Sequence, residues 1–302
     1  MSPAIITPRE VSNSEAITLA ECQRKWLYQY HPGYHLEAVT GNQSFDRGTA
    51  VHTILESFFR AYMETYDYDF SVNIAMQKHA LMIVEAMGTD MGKVIADLHL
   101  PIKQYFINER ERILTWEILG VELLLRAPLA FGLEAVGKID LLIRIKRGPF
   151  KGETIPVDHK TCYNFWSEAE LEVNSQGPLY TYLVKHNFPD RVVQRVFFNN
   201  VRWRIVADKA EMSKIQVLDV PKIYRQNILA NHERLSVQVA NWHDLPVEDA
   251  RERATRSPNP YVCKTCTMRK LCRAELLGQD TKSLVANEYR PNSYGYNNPE
   301  EN

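Results

Sequence analysis

An α/β fold with a helical N-terminal part is predicted by three features of this 302-residue chain. Apolar residues recur at helical spacing from Pro8 to Leu100, alternating and β-branched runs begin at Glu117, and helical spacing returns across residues 175–187. With 45% hydrophobic residues the chain can fill a real core. In the first region, "SEAITLAECQRKWLYQYHP" reads as one helix stopped by Pro32 and Gly33, and "GTAVHTILESFFRAYMETY" reads as another. Next come three runs, "WEILGVELLLRAPL", "GLEAVGKIDLLIRIKRG" and "ETIPVDHKTC", separated by Gly and Pro and read as a three-stranded meander. A helix over "SQGPLYTYLVKHN", a strand in "RVVQRVFFNNVRWRIV" and an amphipathic helix from Val220 to Leu245 complete the pattern. From Lys282 the sequence is polar and poor in core-formers, so a mobile tail is expected.

Charge and composition narrow the function. Lys+Arg 36 against Asp+Glu 37 exclude a simple polycation, so any nucleic-acid contact must be local. Two stretches are basic: Arg191 to Arg225, with eight Lys/Arg against three acidic residues, and Arg251 to Arg273, with seven against Glu252 alone. Either suits phosphates, and either is equally an ordinary solvated face. No run of about 18 apolar residues offers a membrane span, and the N-terminus lacks a secretory layout, so a soluble cytoplasmic protein is expected. In that compartment five cysteines suggest metal rather than a disulfide framework.

The most informative residues are Asp140 in "GKIDLL" and the pair Asp158 and Lys160 in "VDHK". On a strand, Asp158 and Lys160 project from one face and His159 from the other. Two carboxylates and an ammonium offer what phosphodiester hydrolysis requires: ligands for a hard cation, a polarised water and a positive group for developing charge. Taken alone, D-x-K on a strand is a weak signal, because edge strands often carry such charges. Two helical motifs strengthen it. In "GTAVHTILE", His52 and Glu56 share a helix face, and in "QGPLY", Gln176 and Tyr180 stand one turn apart.

The succession G-x-x-x-H, G-x-x-D, D-x-K, Q-x-x-x-Y from Gly48 to Tyr180 resembles the RecB-type exonuclease branch of the PD-(D/E)XK superfamily. The resemblance implies a restriction-endonuclease-like core, a mixed central sheet flanked by helices. It further implies His52, Asp140 and Asp158 as ligands of Mg or Mn, Lys160 as the group that aligns or polarises water, and Gln176 and Tyr180 as supports or DNA contacts. Val157 precedes the D-x-K, and "GKID" lacks the extra acidic residue of some members. Glu122 resembles an upstream strand glutamate of relatives and is read as structural. Trp166, with Tyr163 and Phe165, offers stacking for single-stranded bases or simply packs in the core. Arg195 and Arg202 are candidate DNA contacts.

Cys263, Cys266 and Cys272 fall within ten residues, and Cys22 is the natural fourth ligand of a cubane, which needs four thiolates. The layout resembles the iron-sulfur staple of AddB-type nucleases and CRISPR-associated RecB-like exonucleases, implying a 4Fe-4S cluster. Structural Zn is the alternative, although zinc sites usually pair two close-spaced couples. Cys162 is read as a small buried hydrophobe.

The organisation expected is therefore a helical part over 1–115 with Cys22 and His52, a nuclease core over 116–210, a helix and cysteine segment over 211–280 closing onto the N-terminus, and a tail over 281–302. The function implied is metal-dependent exonucleolytic hydrolysis of DNA at ends or single strands, in recombination, repair, CRISPR adaptation or phage DNA processing. A helicase or a recombination or adaptation protein is the partner class, since no G-x-x-x-x-G-K-[ST] loop is present to drive unwinding. The alternatives are a non-catalytic DNA-end-binding subunit of a helicase-nuclease complex, which the intact Asp140, Asp158 and Lys160 argue against, and an iron-sulfur electron carrier, which the absence of another redox motif disfavours.

Overall fold

The computed structural model describes residues 9–39, 43–204 and 211–291, leaving Asp208, Lys209 and the last eleven residues of the expected tail outside the described residues. The chain divides into two compact units interleaved in sequence, one of 1–42, 128–134 and 231–302, the other of 43–127 and 135–230. In chain order the elements are β1 (Arg9–Ser12), α1 (Asn13–Glu21), α2 (Gln23–Tyr30), β2 (Leu36–Ala38), α3 (Gln43–Thr65), α4 (Tyr68–Glu85), α5 (Asp90–Ala96) and α6 (His99–Ile113). There follow β3 (Trp116–Pro128), β4 (Leu133–Ile145), β5 (Thr154–Cys162), α7 (Glu168–Glu172), α8 (Gln176–Asn187), β6 (Arg195–Arg202), β7 (Ser213–Asp219) and α9 (Lys222–His243). The chain closes with α10 (Val247–Arg253), α11 (Pro260–Lys264), α12 (Arg269–Leu276), α13 (Lys282–Glu288) and β8 (Tyr289–Pro291).

The single helix expected across Cys22 is two. Ser12 caps α1, its hydroxyl accepting from the Glu15 N–H at 3.1 Å, and Cys22 ends it with extended backbone, φ −161° and ψ 104°. The break takes Cys22 out of the helical backbone of both α1 and α2. Nor is the C-terminal segment loose up to Pro291: β8 pairs antiparallel with β2, and Tyr289 is buried with Leu36, Leu271 and Cys272. No described helix is long and apolar enough to cross a membrane.

In the same unit Glu275 is held by four partners. Arg24 Nη1 lies 2.7 Å from Oε2, Tyr34 donates its hydroxyl to Oε1 at 2.9 Å, and Tyr28 and Arg251 complete the set. Burial alone would raise the Glu275 pKa, but the hydrogen bonds from Tyr28 and Tyr34 and the two guanidiniums outweigh it and hold the carboxyl below the usual glutamate range. A depressed folded pKa contributes stability that is complete above the unfolded value of about 4.3 and is lost as pH falls through the folded value. Glu275→Ala is therefore expected to cost about 3 kcal/mol at neutral pH, the penalty for orphaning buried partners. The difference from wild type in urea midpoint should shrink below about pH 4. A difference constant down to pH 3 would show that the pairing carries no folding energy.

Within the second unit the sheet runs β4–β5–β6–β7, with β3 also paired to β4. β4 and β5 are antiparallel, β5 and β6 parallel, and β6 and β7 antiparallel, which makes the sheet mixed. A parallel neighbour requires a crossover, and residues 163–194 supply it through α7 and α8. The meander and following helix of the sequence reading are present, and β7 is an additional strand that the reading did not include. One sheet face buries Leu141, Ile143, Val157, Phe197 and Val201 against Phe58 and Phe59 of α3 and Tyr105 of α6. The other buries Val196, Phe198 and Leu218 against Leu171 and Trp166. Each side chain of this size stabilises by about 1.5–3 kcal/mol on burial. The two-sided core fixes β5 at the centre of the sheet, and the alternation of β5 decides what faces α8.

Candidate active site

Alternation along β5 puts Asp158 and Lys160 on the α8 side, and the two form an ion pair, Lys160 Nζ to Asp158 Oδ2, at 2.6 Å. Lys160 also donates to Gln176 Oε1 at 3.0 Å. Gln176 Nε2 donates to the Tyr180 hydroxyl at 2.7 Å, which in turn donates to the Lys138 carbonyl at 2.9 Å. The Q-x-x-x-Y spacing thus ties the lysine of β5 to the backbone of β4. Gly137 allows the approach, for a Cβ there would lie 2.7 Å from Leu183 Cδ1 and 3.2 Å from Tyr180 Cε1.

The β4–β5 ladder runs to Leu141↔Val157. Just past it, Asp140 Oδ2 accepts from the His159 N–H at 2.7 Å. The His159 carbonyl accepts from His52 Nε2 of α3 at 2.8 Å. A carbonyl only accepts, so the proton sits on Nε2 and His52 Nδ1 faces Asp140 Oδ1 at 3.5 Å. A neutral imidazole would there present a lone pair to a carboxylate, and the arrangement calls for a second proton or a cation between them. Burial would lower the His52 pKa, but Asp140 beside it raises it.

Glu122 joins this pair. It lies on β3 with φ 54°, and it pairs with Lys138 Nζ at 2.7 Å. His52, Glu122 and Asp140 each offer a ligand atom, all within 4.8 Å of one another. Two carboxylates and an imidazole suit a hard or borderline divalent cation, so the donor set fits Mg or Mn. The carboxyls beside the set differ. Burial would raise Asp140, yet His52 and the His159 N–H hold it down. Asp158, 2% exposed, is raised by burial and by Asp140 in spite of Lys160. The His159 ring points to the opposite face, its Nδ1 2.9 Å from Asn199 Nδ2 and its plane stacked on Phe59, and burial pushes its pKa down to about 3.

The sequence reading placed Glu122 among structural residues, whereas here it stands with His52 and Asp140. Trp166 packs on Phe198 at 5.2 Å, with Lys160 Nζ 5.9 Å from its own ring centre. Arg195 lies 3.1 Å from Glu153 and 3.3 Å from Asp219. Arg202 is buried, its guanidinium 4.0 Å from the Phe165 ring centre.

In the other unit Cys22, Cys263, Cys266 and Cys272 line one cavity together with Lys25, Arg256 and Arg269. No disulfide joins them, and the Ser257 N–H donates to Cys22 Sγ at 3.4 Å. Burial raises Cys266 and Cys272, and each also feels Cys22. Cys162 lies in β5, in the chain's other unit, and burial pushes its thiol up to about 11.

The sheet is mixed and carries D-x-K on the strand before its parallel crossover, with a second aspartate on the adjoining strand. The chain belongs to the PD-(D/E)XK nuclease superfamily, whose family model matches residues 10–273. Among solved structures it is similar to a protein of Eubacterium rectale named "putative exonuclease", at 13% identity and a TM-score of 0.51, covering 92% of each chain. At that identity the likeness is one of fold. SSO0001 is also similar, at 12% identity and a TM-score of 0.39 over 88% of this chain and 86% of that one. No curated protein matches the sequence.

Proposed function

We propose that the protein is a metal-dependent DNA exonuclease acting at ends or on single strands. The observation that carries this reading is the convergence of His52, Glu122 and Asp140 within 4.8 Å, on the sheet that also holds the Asp158–Lys160 pair. When bound by His52, Glu122, Asp140 and Asp158, Mg or Mn would neutralise the scissile phosphate and polarise a water. The chain's own groups do the positioning. The His159 carbonyl fixes the His52 ring with Nδ1 toward the carboxylates, and the His159 N–H fixes Asp140. Gln176 and Asp158 hold the Lys160 ammonium, a positive group for the charge that develops in the transition state.

End-labelled single- and double-stranded DNA, assayed with Mg and with Mn beside a circular single strand, tests the reading. The expected result is ladder-free release from the labelled end with the circle untouched. Binding without cleavage of any substrate would instead support the end-binding subunit. Glu122→Gln tests the added ligand independently of turnover: titration calorimetry should show Mn binding weakened about 10- to 100-fold. Unchanged Mn affinity would remove Glu122 from the ligand set.

The same proposal includes a 4Fe-4S cluster in the cysteine cavity. Four cysteines around one cavity supply the four thiolates that a cubane needs, which supports the reading, and zinc is the alternative occupant of the same donors.

A further inference from the structure

We infer that Arg202 and Lys214 form a second phosphate subsite, which grips the substrate strand beside the scissile bond; this rests on the nuclease reading above. Register puts the residues on one face. β5 and β6 pair as Asp158↔Phe198, Lys160↔Asn200 and Cys162↔Arg202, and β6 and β7 pair as Asn200↔Lys214. Cross-strand partners point the same way, so Arg202 and Lys214 share the face of Asp158 and Lys160. One strand over and two residues along, the Lys160 and Arg202 backbone positions are about 8 Å apart.

The chemistry of Arg202 is unusual for a buried cation. The residue is 6% exposed, and its Nε is buried without a hydrogen-bond partner. Its Nη1 donates to the Glu211 carbonyl at 3.1 Å, and among the described residues no carboxylate pairs with it. The Phe165 ring holds the guanidinium at 4.0 Å and the Lys214 ammonium at 5.9 Å, so two like charges share one aromatic ring. Burying a guanidinium without a counter-charge costs several kcal/mol. An anion repays that cost, and a planar fork of donors matches the oxygens of a phosphate. Arg195 is the contrast: on the same strand, it is already flanked by Glu153 and Asp219. The structure thus separates two arginines that sequence alone treats alike.

Fluorescence anisotropy of a labelled single strand in EDTA, as a function of salt, tests the subsite without involving the metal. For Arg202→Gln, for Lys214→Gln and for the double variant, the slope of log K against log salt should fall by about 0.7 for each cation removed. Affinity at low salt should drop about 10-fold per substitution. Arg195→Gln should keep the wild-type slope. Lys214 is exposed, so its replacement tests the subsite even where the Arg202 variant unfolds. A circular strand and strands with and without terminal phosphates identify the source. A defect on the circle assigns an internal phosphodiester, and a defect confined to phosphorylated ends assigns the terminal group. A wild-type slope in both single variants, with wild type binding and cutting DNA, overturns the subsite alone. Wild-type protein that neither binds nor cuts overturns the nuclease reading together with it.

Discussion

Lys160→Ala is expected to lower DNA cleavage about 10³-fold or more, with binding of the strand retained. The ammonium is held directly against Asp158, at 2.6 Å, and Gln176 aims it from the other side. Without it the developing negative charge loses its pre-placed partner, and the Asp158 carboxyl, already raised by burial, loses the group that opposes that rise. Both effects act on the chemical step. Single-turnover cleavage at saturating protein should collapse while anisotropy changes little. A melting curve on the same sample separates loss of chemistry from loss of fold. Cleavage within a few-fold of wild type would remove Lys160 from the mechanism.

Cys22→Ala should have the second large effect. Under the proposed cluster assignment, anaerobically purified wild type is brown, absorbs broadly in the visible range and contains iron, whereas a zinc protein is colourless. Cys22 is the ligand from the far end of the sequence, and it lines the cavity with the three C-terminal cysteines. Its removal should bleach the protein and lower the melting temperature by about 10 °C or more, on the order of 3 kcal/mol, because the binding energy of a metal staple is also folding energy. Cys162→Ala should leave the spectrum unchanged. Stoichiometric zinc without iron in wild type overturns the cluster. A Cys22 variant that keeps its melting temperature and its spectrum shows that the fourth ligand lies elsewhere.

Much of the second unit was legible in the sequence because its periodicities are local. β5 alternates cleanly, so the common face of Asp158 and Lys160 follows from spacing two, and Gln176 and Tyr180 meet through spacing four on α8. Glu122 was obscured by a local departure from that rule. Gly120 and Val121 are both buried and Glu122 takes φ 54°, so parity along β3 shifts at this point and counting by twos assigns the wrong face. The glycine before it is the signal a closer reading would use. The break at Cys22 was hidden for the opposite reason. Its neighbours are good helix residues, and the extended backbone there has no counterpart in propensity. Pairing of β2 with β8 joins residues 36–38 to 289–291, a contact for which spacing has no vocabulary.

The interleaving of the two units has a consequence for the chain as it is made. Residues 1–42 emerge before the second unit, yet the unit to which they belong takes its remaining main part from 231–302, which emerge after it. The intervening unit is nearly continuous and can collapse while synthesis proceeds. At about 5–20 residues per second, the Cys22 thiol therefore waits roughly 12–50 s before Cys263, Cys266 and Cys272 leave the ribosome. Throughout that interval it lacks the three cysteines with which it lines the cavity. Under the proposed cluster assignment, the cavity can be loaded only in chains extended past Cys272.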